Sequence, residues 1–97
     1  MATFIGLLNW TDQGIRNFGD SLKRAQAFSD TIEGMGGKVT GLWWTVGPYD
    51  LVSVIEAPDE ETATAAMLKT GALGNVRSTT LRGYSAEEFG PIIDRAR

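Results

Sequence analysis

Arg77 stands between Asn75 and Thr79 at two-residue spacing, and in an extended segment that spacing gives three polar groups one face. A guanidinium there, facing inward, can clasp a carboxylate or phosphate bidentately; an ion pair with Glu56 or a solvated sheet edge is the plain alternative. A buried, unpartnered arginine is costly, so burial demands a partner or a ligand. Glu56, the acidic side chain inside the apolar run Leu51–Ala57, is a candidate general base, and Tyr49 is a candidate acid. Trp10, Trp43 and Trp44 can stack on a planar ligand or fill a core and an interface between copies. The turn Gly47-Pro48-Tyr49-Asp50 offers a hydroxyl and a carboxylate to a ligand rim, or is a rigid hairpin turn whose Asp50 satisfies backbone N–H groups.

Several chemistries are excluded outright. The 97 residues contain no Cys and no His. Thiolate nucleophiles, disulfides, Cys/His zinc sites, Ser-His-Asp triads and haem on a proximal His are therefore impossible; an all-carboxylate Mg²⁺ or Ca²⁺ site is the one metal option left open, and no metal or other cofactor is expected. The net charge of −3 argues against nucleic acid or an anionic membrane surface as partner. Gly34-Met35-Gly36-Gly37-Lys38-Val39 lacks the first glycine of a phosphate loop and has Val39 where Ser or Thr belongs. No run is long enough to span a membrane and no leader is visible, so a cytoplasmic location is expected.

The elements that must position these residues are legible from periodicity. Thr3–Trp10 reads as a first strand, followed by a polar turn over Thr11–Ile15 that holds Gln13. A helix opens at Asp20 or Ser21, with Leu22, Ala25, Phe28 or Ser29, Ile32 and Met35 on one face, and ends in Gly34, Gly36 and Gly37. Lys38–Val46 and Asp50–Ala57 read as strands joined by a connection too short for a parallel crossover, hence an antiparallel hairpin. Asp59 caps a second helix with Ala63, Ala66, Met67 and Thr70 facing inward. Asn75–Tyr84 reads as strand four, and Ser85-Ala86-Glu87-Glu88 is a capping box for a last helix that Pro91 should kink or restart. The order β-α-β-β-α-β makes a single α+β domain over residues 1–97, a ferredoxin-like sandwich with an antiparallel four-stranded sheet and a C-terminal helix.

Trp43 and Trp44 are adjacent and so point to opposite faces of their strand. Leu51, Ser53 and Ile55 alternate with Val52, Val54 and Glu56, and both sets are mainly apolar. A sheet with one wet face alternates apolar with polar instead. The face away from the helices is therefore expected to be covered by a second copy, as a homodimer or higher oligomer, or else by the C-terminal helix folding back.

The run Gly47-Pro48-Tyr49-Asp50 after a Trp-bearing strand resembles the signature of the GYD-domain family. Thr11-x-Gln13-Gly14-Ile15, Asp20-Ser21-x-Lys23-Arg24-Ala25 and Gly74-Asn75-Val76-Arg77-Ser78-Thr79 are similar to that family's first loop, helix-one start and strand-four opening, and Pro48 replaces its frequent Gly. The resemblance implies a dimeric α/β barrel, two ferredoxin-like sheets facing each other, with Gln13 near the barrel mouth or bound up in a local turn. It supplies no catalytic residue.

Two functions of different classes fit these residues. One is a homo-oligomeric module that binds a small molecule in or near the inter-sheet barrel through Trp43, Trp44, Tyr49 and Arg77. The other is a cofactor-free monooxygenase- or isomerase-like enzyme, by analogy of fold. RNA binding is disfavoured because Asp50–Glu56 carries neither basic nor stacking residues.

Overall fold

The computed structural model describes residues 1–97. The chain runs β1 (Ala2–Trp10), α1 (Asp12–Arg16), a 3-10 turn (Phe18–Asp20), α2 (Ser21–Gly34), β2 (Lys38–Trp44), β3 (Leu51–Ala57), α3 (Glu60–Ala72), β4 (Val76–Gly83) and α4 (Ala86–Ala96). The strands form one four-stranded antiparallel sheet in the order β2-β3-β1-β4. This is the expected ferredoxin-like arrangement.

The expected α/β barrel is not formed. The sheet is open, with β2 and β4 as unpaired edges. Closure would need β2 to bond β4, and four strands are half the number that ordinarily closes around a filled interior. The barrel was implied by the family resemblance. The apolar pattern on both faces belongs instead to an open sheet, with one face under helices and one bare.

Register assigns the faces. Phe4, Leu8, Leu51, Ile55 and Ala57 are buried on the helix side. The core gathers at one end, where Phe4, Ile55 and Ala57 meet Ile32 of α2 and Ala63 and Ala66 of α3. The alanines let α3 lie close to the sheet. Truncating Ile55, almost wholly enclosed, to alanine is expected to cost about 2–5 kcal/mol in a denaturant melt.

On the opposite face two rows cross the sheet: Trp43, Val52, Leu7 and Thr79, then Gly41, Val54, Ile5 and Leu81. Trp43 is 55% exposed and Leu81 45%. The Trp43 indole lies across Gly41, so closely that a Cβ there would collide with the ring. α4 does not cover this face. It buries none of its residues and is tied to the end of β4 by the Tyr84–Phe89 ring contact and an Arg82–Glu88 ion pair of 3.9 Å. The radius of gyration, 14.5 Å, exceeds the about 13 Å usual for this length.

Local signals read well at two helix starts and less well elsewhere. Asp59 caps α3 by accepting from the Thr62 N–H at 2.7 Å, and Ser85 and Glu88 form the reciprocal box of α4. The turn expected at Thr11–Ile15 is instead a short helix, because the Thr11 hydroxyl caps it by accepting from the Gly14 N–H at 3.1 Å. Leu22, expected on the inner face of α2, is 74% exposed. α4 runs through Pro91 without restarting.

Hydrogen bonds from Thr62 hold the Asp59 carboxyl below its ordinary pKa, and the Ser85 N–H does the same for Glu88 against the opposing effect of desolvation. A depressed carboxylate stabilises the fold above its unfolded pKa, and that contribution disappears as pH falls through the folded value. Amide protection factors, which correct exchange for its intrinsic pH dependence, are therefore expected to fall at the first turns of α3 and α4 on acidification below the ordinary carboxylate range and to hold steady between neutral pH and that range.

Candidate functional site

At the end of the sheet opposite the core, α2 and α3 leave a cavity of about 160 Å³ over the helix-side face. Its floor is Leu8, Leu42, Trp44, Leu51, Ser53 and Val76. Ala25, Phe28 and Thr31 of α2 roof one side, and Thr70 and Leu73 at the end of α3 the other. The hollow has a plain origin: small Ala25 and Ser53 stand here where Ile32 and Ile55 fill the space at the core end. Ser53 is the polar residue of the buried set, 3% exposed.

The mouth is built by long-range polar contacts. The Trp10 N–H donates to Asp50 Oδ2 at 2.9 Å and the Asp50 N–H to the Leu8 carbonyl at 2.9 Å, so Asp50 locks the end of β1 against the start of β3. The Thr11 hydroxyl donates to the Gly74 carbonyl at 2.5 Å, and the Thr11 N–H to the Asn75 carbonyl at 3.1 Å. Gln13 Nε2 donates to the Leu73 carbonyl at 3.1 Å and to Asn75 Oδ1 at 2.9 Å. Arg24 Nη2 donates to the Gly14 carbonyl at 3.2 Å. These bonds fasten the first loop to the α3–β4 connection and hold Trp10 over the cavity.

The residues singled out from the sequence are thereby divided. Trp44, Trp10 and Asn75 line the cavity. Gln13 and Asp50 support its rim. Trp43 lies on the bare face. Alternation along β4 gives Arg77 and Thr79 to that face too, while Asn75 precedes the strand. Arg77 also borders a shallow groove between α3 and β4. Glu56 pairs with Lys38 at 3.3 Å, not with Arg77. Tyr49 sits in the hairpin loop, where its carbonyl accepts from the Thr45 hydroxyl at 2.6 Å. Glu56 and Tyr49, the base and acid of an enzymatic reading, do not converge. No cluster of three or more acidic side chains is placed to hold a metal ion.

Arg24, Lys69, Ser53 and Leu73 line the cavity and were not anticipated. Arg24 beside Ala25 in the helix-one motif was the available signal; Lys69 had none. Replacing Asp50 by alanine should cost about 1.5–3 kcal/mol, the worth of a hydrogen bond to a charged group, and Asp50→Asn less, both read by thermal denaturation.

No helix is long and apolar enough to cross a membrane. The sequence matches the GYD domain over residues 4–93. A Thermus thermophilus protein described as a glutamine synthetase and cystathionine beta-lyase binding protein is 35% identical over 90 residues, 92% of this chain and 95% of that one. A crystal structure from the same organism aligns at TM-score 0.57 and 25% identity, covering 89% of this chain and 96% of that chain. A hypothetical protein from Pyrococcus horikoshii aligns at TM-score 0.57 over 88% of this chain and 92% of its own, and its 15% identity speaks to fold alone.

Proposed function

Since the chain belongs to the GYD domain family, we propose that it is a non-catalytic binding module whose small-molecule site is the cavity between the sheet and helices α2 and α3. The observation that carries this reading is the cavity itself: about 160 Å³, walled by leucines, Phe28 and two tryptophans. That is close to the roughly 150 Å³ engineered apolar cavity that holds benzene. A few polar groups at an apolar pocket's edge are the usual form of a ligand site. The site lies on the opposite side of the sheet from the inter-sheet space that the sequence suggested. Quenching of tryptophan fluorescence by toluene tests it. The wild type should saturate, and Ala25→Phe, which fills the roof, should not; a linear, unsaturable response in both would refute the site.

The bare face is the self-association surface in this reading. Trp43 and Leu81 flank half-buried Ile5, Leu7, Val52 and Val54. Covering the exposed half of one indole is worth about 2–3 kcal/mol. A second copy seated on this face would cover two of them, one from each copy.

A second reading, docking to a metabolic enzyme, is favoured by the 35% identical relative named as binding glutamine synthetase and cystathionine beta-lyase. Biolayer interferometry against the glutamine synthetase of the protein's own organism tests it. Micromolar, saturable binding supports this reading, and absence of binding removes it.

A further inference from the structure

The geometry points to a small organic anion with a compact apolar body, an aromatic or branched aliphatic carboxylate, as the ligand class of this cavity. The inference rests on the cavity being the binding site. Two charged side chains line it, Arg24 and Lys69, and both are cations. No Asp or Glu lines it, although the chain carries 12 acids against 9 bases. The ion pairs of the fold are Lys38–Glu56 and Arg82–Glu88, so neither lining cation is neutralised within the chain.

Arg24 is half-buried and anchored rather than loose. Its Nη2 donates to the Gly14 carbonyl at 3.2 Å and lies 3.4 Å from the Ser21 hydroxyl. A guanidinium has five N–H donors, so several remain for a ligand. Trp10 and Trp44 add indole groups that donate and cannot accept. Asn75 Oδ1, an acceptor at the rim, is already taken by Gln13. Asp50, the carboxylate that supports the rim, is not among the lining residues and spends Oδ2 on the Trp10 backbone N–H, so the charged side chains lining the cavity are cations and its walls are apolar. An acceptor-only headgroup on a hydrocarbon body of about benzene's size satisfies both. A cationic ligand of the same size would meet like-charge repulsion from Arg24 and Lys69.

Calorimetric titration with benzoate, its neutral counterpart benzyl alcohol, and toluene separates charge recognition from cavity filling. Wild-type protein at low salt is expected to bind benzoate at least about tenfold more tightly than benzyl alcohol, the worth of one partly screened charge contact. Arg24→Gln combined with Lys69→Gln should bring the two affinities together while toluene binding is retained. Lys69→Gln alone changes an exposed position with no structural partner, so that variant folds and should lose part of the preference. Benzyl alcohol binding as well as benzoate in the wild type, or a preference that survives the double substitution, would overturn the anion inference and leave the cavity reading standing. Failure of all three compounds to bind would overturn both.

Discussion

Replacing Trp43 by glutamate is expected to turn the proposed dimer into a folded monomer. The side chain is 55% exposed on the bare face and packs across Gly41 of its own strand, so no buried core loses a partner. In a symmetric dimer the substitution acts twice. It removes about 2–3 kcal/mol of apolar contact per copy and places a carboxylate in a desolvated interface. The dissociation constant should rise by at least about 100-fold, which light scattering at micromolar concentration reads directly. Circular dichroism should show the melting curve of a folded domain, lowered by the lost association alone. A wild type that is monomeric at those concentrations would remove the bare face as an association surface.

Gly14→Ala is expected to destabilise the fold by about 3 kcal/mol and to abolish ligand binding with it. The reason is contact with backbone. A Cβ at Gly14 would overlap the Asn75 carbonyl oxygen and lie 2.9 Å from its carbon. Neither atom can swing aside as a side chain would, because Asn75 is held by the Thr11 N–H and by Gln13. Relief requires α1 to lift from the α3–β4 connection, which breaks the rim and releases Trp10. Gly71→Ala is the control. It sits in α3 with nothing within 4 Å of its added Cβ, and alanine should stabilise that helix by about 0.5–1 kcal/mol. Chemical denaturation of the two variants should therefore give shifts of opposite sign.

Trp43 and Gly14 show what the sequence could and could not reveal. Alternation along Leu51–Ala57 and the adjacent tryptophans disclosed two apolar faces, and the bare one is present. The same pattern could not tell an open sheet from a closed one. Closure depends on whether β2 reaches β4, and residue types do not encode that pairing. The end-caps Asp59 and Ser85 were readable because a cap is a contact within four residues. Thr11 capping a helix was missed because Gly14 makes that segment look like a turn. Gly14 is in fact glycine for the close approach of Asn75, far along the chain. The cavity was illegible for a related reason. It is the space left where small Ala25 faces Ser53, and its cations come from helices far apart in sequence. Leu22 follows the helical period and yet is exposed, because the inward stripe of α2 at this end runs through Ser21, Arg24, Ala25 and Phe28, which line the cavity, and not through Leu22.

The placement of the ligand site on the helix side of the sheet is tested most directly by methyl NMR of the protein titrated with toluene. Saturable shifts should concentrate at Leu8, Leu51, Leu73 and Val76 around the cavity. Shifts confined to Val52, Val54 and Leu81 on the bare face, or none at all, would contradict it.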